Sequence, residues 1–249
     1  IPKEKLKSDK LTSFNLLECD NCGMIQIDKN VQTDYYDEYY MTTSFSESMK
    51  IYEKELCEKF FKEFSLKNKK LIEIGSGDGQ FLKMFSDKGT DVLGFEPSKT
   101  FFNLALKRGL KMKNEYFNSN SNINDNFYDA VISRQVFEHL NNPNEVLENI
   151  FKKLKFGGVG LIEIPSFEKS LKENRYYDVF LDHKCYYTKK TLSHLLNKNG
   201  FEVTNIFNSF NDEYIVAYFR KNMQNDIIIM IIQMVFVIKP IRFVNMNFN

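Results

Sequence analysis

The stretch Leu71-Ile72-Glu73-Ile74-Gly75-Ser76-Gly77-Asp78-Gly79-Gln80-Phe81-Leu82 decides how this chain is read. A short apolar run closes on an acid, glycines follow at alternate positions, and a helical pattern begins. That order predicts a buried strand, a tight turn and a helix start, with the Glu73 carboxylate at the strand end. Glycine lets backbone approach a ligand where a Cβ would collide. A second acid closes the next apolar run, Val92-Leu93-Gly94-Phe95-Glu96-Pro97, where a carboxylate can accept from both hydroxyls of a ribose.

The glycine spacing narrows the ligand. A dinucleotide fingerprint reads Gly-x-Gly-x-x-Gly and seats a pyrophosphate on a helix N-terminus, whereas here the order is Gly75-x-Gly77-x-Gly79. No Lys-Ser/Thr pair follows, which excludes a phosphate-cradling P-loop. Asp78 falls in the first turn of the expected helix, where its charge would repel a phosphate. The loop suits a nucleoside ligand without phosphates, and Glu73 offers a partner for a cationic amino group.

Four ordered blocks carry a resemblance to the class I S-adenosylmethionine-dependent methyltransferases. They are the Glu73–Gly79 turn, Glu96-Pro97-Ser98, the run from Asp129 through Ser133-Arg134-Gln135 to Glu138-His139-Leu140, and Phe156-Gly157-Gly158. The resemblance spans roughly residues 68–221. It implies a Rossmann-like α/β fold with a seven-stranded, mostly parallel sheet whose last strand is antiparallel. It implies S-adenosylmethionine as cofactor, with Glu73 serving the methionine amino group. Gly75, Ser76, Gly77 and Gly79 would pack under methionine and ribose, and Glu96 with Pro97 would hold the ribose. Glu115 and Tyr116 fall at the third strand's tip, beside adenine. Ser133, Arg134 and Gln135 fall where the fourth strand meets the methionine carboxylate and the sulfonium.

The chain of 249 residues is long enough for one α/β domain with appendages, and 43% hydrophobic content supports a core. A net charge of +1, with lysines scattered along helices, gives no electrostatic case for nucleic acid. The cysteines, Cys19, Cys22, Cys57 and Cys185, are too sparse for a disulfide framework. No secretory or lipidation signal is read, so a reducing cytoplasm is the expected location.

Strands are expected at residues 70–74, 91–96, 111–116, 128–133 and 159–165, and helices at 79–88, 99–108, 143–155 and 188–199. Met49, Tyr52, Leu56, Phe60 and Phe64 recur at helical spacing ahead of them. Two last strands, residues 201–209 and 213–221, are joined by a short Asn-Asp turn and should pair antiparallel. Alternating strand and helix argues for a parallel sheet. The domain reading is a ribbon-like, Tyr-rich segment over 1–45, a methyltransferase domain over 46–221 with a substrate lid at 166–187, and an apolar tail over 222–249. The run Ile227–Ile238 is apolar on all sides yet too short to span a bilayer without Lys239 and Arg242. A buried helix or strand, an interfacial anchor, an oligomer contact and an aberrant C-terminus all stay open for it.

Cys19-Asp20-Asn21-Cys22-Gly23 has the spacing of a metal knuckle between two short strands. Tetrahedral zinc needs four ligands and the knuckle supplies two, so free thiols in a remnant ribbon are the competing reading. The segment resembles the zinc-binding N-terminal part of bacterial sugar C-methyltransferases, with Cys19, Cys22, Gly23 and Gln26 matching the second of two Cys pairs. The first pair is missing, and the opening on Ile1-Pro2 suggests that an upstream part has been lost. The following Tyr35–Ser44 segment is either a cleft lining or a strap. The same resemblance favours the cleft and makes Tyr39 and Tyr40 substrate candidates.

Methyl transfer needs alignment and, for a hydroxyl or carbon acid, a base. His183, oriented by Asp182, is the first base candidate and His139 the second; His194 reads as a surface or packing histidine. In the sugar C-methyltransferases a Tyr-x-Glu-His segment lies where Phe180-Leu181-Asp182-His183 stands here. Phe180 cannot take a proton, which weighs against carbanion chemistry. Arg175 and Tyr186, in the expected lid, are candidates for holding a sugar or phosphate. No Asn/Asp-Pro-Pro-Tyr or Pro-Cys motif follows the fourth strand. These absences, with the neutral charge, favour a small-molecule or carbohydrate acceptor, and the resemblance to sugar C-methyltransferases implies a nucleotide sugar or another surface-polysaccharide precursor, methylated at oxygen or carbon. The rival readings are a small-molecule N-methyltransferase and a degenerate, cofactor-binding scaffold.

Overall fold

Alternation along β3 (Lys70–Ile74) assigns its side chains to two faces: Leu71 joins one apolar cluster, and Ile72 and Ile74 the other. The computed structural model describes residues 14–28 and 46–222. In it β3 is the centre of a seven-stranded sheet. The other strands are β4 (Asp91–Phe95), β5 (Met112–Lys113), β6 (Tyr128–Arg134), β7 (Leu154–Pro165), β9 (Phe201–Ser209) and β10 (Tyr214–Lys221), in spatial order β5-β4-β3-β6-β7-β10-β9. β10 runs antiparallel to β7 and β9, and the remaining neighbours are parallel. Strand order reverses beside β3, the place where ligands sit in open α/β sheets.

Helices α1 (Glu47–Glu63), α2 (Gln80–Asp87) and α3 (Lys99–Lys107) cover the face bearing Leu71, Ala130, Leu161 and Tyr218. Helices α4 (Pro143–Lys153) and α6 (Lys189–Lys198) cover the face bearing Ile72, Val131, Ile162 and Phe219. Short polar side chains start them: Ser98 Oγ accepts from the Phe101 amide, and Thr188 and Thr191 form a capping box on α6.

The expected 111–116 strand shrinks to Met112–Lys113, because Asn114, Glu115 and Tyr116 are exposed and leave the sheet edge. β7 begins earlier than expected, at Leu154, passing through Gly157 at positive φ. The ribbon is present: β1 (Leu16–Glu18) pairs with β2 (Ile25–Ile27), and β2 pairs with β8 (Cys185–Tyr186). This second sheet docks the N-terminal segment on residues that the sequence placed in a lid. Within that stretch lie α5 (Phe167–Lys172) and a 3₁₀ turn at Tyr176–Asp178. Among the described residues no helix is long and apolar enough to cross a membrane. Tyr39, Tyr40 and all but the first residue of the apolar tail lie outside the described residues.

Candidate active site

The Gly75–Gly79 turn sits at the end of β3 as its sequence requires. A Cβ on Gly75 would lie 2.4 Å from Val136 Cγ2, and one on Gly79 2.5 Å from Leu110 Cδ1, so both glycines serve packing. Gly77, at φ +52°, meets nothing within 4 Å, and the turn opens there onto free space. Glu96, at the tip of the neighbouring β4, leans over this opening: its Oε2 accepts from the Gly77 amide at 2.9 Å and its Oε1 from the Ser98 amide at 2.8 Å. Burial raises the Glu96 carboxyl, and those two amides oppose the rise. Asn114, which the sequence did not single out, donates from Nδ2 to the Glu96 and Pro97 carbonyls and fixes this tip. Ser76 Oγ donates to the Glu73 carbonyl. Asp78 is not an unpaired charge at the helix start, since Arg108 holds it at 3.0 Å.

Strand alternation also gathers acids on the α1 side. Leu71, Ala130 and Leu161 pack in one cluster, and two residues on from Leu71 and Leu161 stand Glu73 and Glu163, with Arg134 at the matching end of β6. Arg134 donates from Nε to Glu163 at 2.9 Å and from Nη1 to Glu53 of α1 at 3.0 Å, with its guanidinium over the Phe81 ring. Gln80 donates to Glu53, Tyr52 donates to Glu163, and Gln135, at φ +54°, donates to Glu163 from Nε2. Glu73 is 2% exposed and its Oε2 has no hydrogen-bond partner. Burial drives its carboxyl well above the usual range; Arg134 opposes this, while Glu53, Asp78 and Glu96 add to it. An orphaned acid in an acid-rich pocket fits a cationic group, and the methionine ammonium of S-adenosylmethionine is one; the paired amides and open space at Gly77 fit its ribose.

Other expected positions fall differently. Arg134 is committed to two glutamates, so it is not open to a methionine carboxylate. Ser133 is buried, with its Oγ directed to the Ile74 carbonyl at 3.5 Å. Glu115 pairs with Lys113 at 3.6 Å, and Tyr116 is 62% exposed off the strand. Arg175 is held by Glu213 at 2.9 Å and Asp178 at 2.9 Å, which ties the insertion to the β9–β10 turn and leaves no unpaired guanidinium for a phosphate. Tyr186 is buried, and its hydroxyl donates to the Phe180 carbonyl at 2.8 Å, so it is spent on shaping the loop rather than on a ligand.

The two base candidates meet. A 3₁₀ turn, Phe137–His139, follows β6, and the insertion returns His183 against it with ring centroids 4.8 Å apart, edge to face. The Lys184 amide donates to the Glu138 carbonyl at 2.6 Å, and the Tyr187 hydroxyl to the Phe137 carbonyl at 3.2 Å, fixing the join. Asp182 does not orient His183 as the sequence suggested. Its carboxylate lies 3.4 Å from His139 Nδ1, and its carbonyl 3.2 Å from the same nitrogen, because the backbone turns at residue 182 toward the 3₁₀ turn. Burial lowers both imidazoles, His183 to about 4, which keeps them neutral and able to accept a proton or ligate a metal. Beside them Glu138, 2% exposed, has its carboxyl pushed up to about 8 by burial. Phe180 packs on His183 with ring centroids 5.0 Å apart, and the Tyr186 ring lies 6.0 Å from the same imidazole with its hydroxyl turned to the Phe180 carbonyl. His194 is exposed, as expected.

Cys19 is exposed and Cys22 half-buried in a tight knuckle, where the Cys22 and Asn21 amides lower the Cys19 thiol. Cys185 comes near the ribbon, accepting from Gln26 at 3.6 Å. Among the described residues these cysteines do not join any third ligand as a metal-holding group.

A parallel sheet closed by an antiparallel hairpin, with an open glycine turn between two strand-end carboxylates, is the class I methyltransferase architecture. The chain belongs to the methyltransferase-domain family, which matches it over residues 49–206. It is similar to C-methyltransferase NovU of Streptomyces niveus, 22% identical over 204 residues, covering 80% of this chain and 49% of NovU. The chain thus spans about half the length of that curated relative. Among solved structures, a SAM-dependent methyltransferase of Thermotoga maritima, described as a possible histamine N-methyltransferase, superposes with a TM-score of 0.56 at 20% identity, over 70% of this chain and 89% of that one. A Pyrococcus horikoshii protein reaches 0.61 at 16% identity, over 77% of this chain and 100% of that one.

Proposed function

We propose that this chain binds S-adenosylmethionine over the Gly75–Gly79 turn and transfers its methyl group to a small molecule, a nucleotide sugar or related polysaccharide precursor. The observation that carries the cofactor is the orphaned, buried Glu73 beside the open Gly77 and the leaning Glu96. The bound cofactor supplies an activated methyl group, and the chain's own work is then alignment and proton removal. Glu96 holds the ribose and Glu73 the ammonium. Glu53 and Glu163 keep Arg134 in place under the strand ends, so the floor is rigid before ligand arrives.

His139, held at Nδ1 by Asp182, presents Nε2 to the acceptor, and His183 walls the same space. The resemblance of the Cys19–Gln26 segment to the N-terminal part of bacterial sugar C-methyltransferases supports a sugar acceptor, and NovU is itself named a C-methyltransferase. Position 180 carries no phenol and the Tyr186 hydroxyl is engaged on the Phe180 carbonyl, which favours a hydroxyl over a carbon acid, since a hydroxyl needs one base and no second proton-relay group. Calorimetry with S-adenosylmethionine tests the first half. Glu96→Ala should weaken binding by about 1.5–3 kcal/mol, the worth of hydrogen bonds to a charged group. Folded protein that binds no cofactor would refute the reading. A labelled-methyl screen over nucleotide and phosphorylated sugars tests the second half.

A further inference from the structure

We propose that Glu138, His139 and His183 form a binding site for a divalent transition-metal ion of borderline softness, such as zinc. The nitrogen and oxygen ligand atoms of these residues all lie within 4.8 Å of one another, the one such group among the described residues. Around a tetrahedral ion with bonds of about 2.0–2.1 Å, ligand atoms stand about 3.3 Å apart, so side-chain rotations closing at most about 1.5 Å would complete the site. Two imidazoles and a carboxylate are the ligand types that catalytic zinc takes, and three protein ligands leave one position open to water or an acceptor oxygen. With an ion on its Nε2, His139 would no longer accept a proton there, and the acidified water or hydroxyl at the open position would take over proton removal.

A second observation, independent of this spacing, points to a ligand. Glu138 is 2% exposed and its Oε2 has no hydrogen-bond partner. A buried carboxylate oxygen left without a partner costs stability unless something positive meets it. The charges that act on it are the carboxylates of Glu163 and Asp182, the latter turned to His139; Asp178 acts on His183 and Lys184 on His139.

The surroundings also match what a metal-binding histidine needs. Asp182 receives His139 at Nδ1, which leaves Nε2 toward Glu138 at 3.9 Å. A carboxylate on the far ring nitrogen fixes the tautomer and raises the basicity of the ligating one. The backbone is pinned from both sides, by the Lys184 amide on Glu138 and by β8 pairing with the ribbon. Neither Cys19 nor Cys22 belongs to this group of ligand atoms, so the site needs no ligand from the knuckle.

Cobalt(II) reports such a site by visible d–d absorption. The full chain carrying Cys19→Ser and Cys22→Ser, stripped with a chelator and checked for native circular dichroism, is titrated with Co²⁺ alone. The expected result is one equivalent bound per chain, with bands free of thiolate charge transfer. His183→Asn and Glu138→Gln should each weaken binding by about tenfold or more. Absence of the bands, or bands that neither substitution moves, would overturn the site. Glu138→Gln keeps the side chain's volume and serves if His183→Asn fails to fold. Calorimetry with S-adenosylmethionine on the same sample separates the two proposals: cofactor binding without cobalt ends the metal site alone, and cobalt without cofactor ends the methyl-transfer reading alone.

Discussion

At the proposed cofactor end the groups around the glycine turn come from two strand tips and the turn between strand and helix, and Glu73, Gly77 and Glu96 stand where their neighbours in sequence put them. At the proposed acceptor end His139 sits on a 3₁₀ turn and His183 on a long insertion, and their meeting depends on β8, on the ribbon that pairs with it, and on the Lys184–Glu138 backbone bond. The first half is local geometry repeated wherever a strand, a glycine turn and a helix follow one another. The second is assembled from distant pieces, and its details, such as which histidine Asp182 serves, are set by packing. On the proposed reading, cofactor binding rests on the local half and acceptor selection on the assembled half.

The sharpest way to break this contrast is to truncate the acceptor end. His139→Ala should lower kcat by about 10²–10⁴-fold while cofactor affinity stays unchanged, measured by steady-state kinetics beside calorimetry. Lost cofactor binding in that variant would mean that the two halves are one unit. His183→Ala should show the same pattern.

Next in size is the floor they share. Arg134→Ala leaves Glu53 and Glu163 buried without their counter-charge and should cost about 3–5 kcal/mol in urea denaturation. A loss under about 1 kcal/mol, the exposed-pair range, would show that Tyr52 and Gln80 alone satisfy those acids.

A pH series addresses Glu73. Its carboxyl is raised in the fold, with Arg134, Glu53, Asp78 and Glu96 around it. The folded chain therefore holds a proton that the unfolded chain has lost, and stability without ligand should fall as pH climbs from the ordinary carboxylate range up to the raised one. A cationic ligand favours the ionised form. Cofactor affinity should thus rise with pH across that window, by at most about tenfold per unit, with one proton released. Glu73→Gln should flatten the slope; a slope that persists would assign the proton to another group.

The smallest effect is expected at the insertion's anchor. Arg175→Ala removes partly exposed ion pairs to Glu213 and Asp178 and should cost no more than about 1 kcal/mol of stability. Its mark should be a raised KM for the acceptor with kcat nearly kept, since the insertion loosens while the histidines remain.

The glycine turn was legible because a positive φ, a close backbone approach and a strand-end acid each demand a residue type at a fixed position. Parallel order and the closing hairpin followed from the same periodicity. Glu53 escaped notice because an acid on a helix reads as a solvated face; only the sheet beneath α1 makes it a buried partner of Arg134. Arg134 and Arg175 read as ligand-binding cations for the converse reason, since a sequence does not show which acids from other elements will reach them. The short β5 and the displaced Glu115 and Tyr116 reflect an edge strand whose length is decided by pairing more than by its own residues.

The sequence by itself determined the strand–helix alternation, the closing hairpin, the Gly75–Gly79 turn and the acids Glu73 and Glu96 at the strand ends, since each depends on interactions between residues near in the chain. Only the tertiary structure decided that His139 and His183 share a wall with Glu138, that Asp182 serves the former, and that two arginines are already paired. Those outcomes depend on which buried charges find counter-charges across elements, and burial makes that choice too costly to be left unmet.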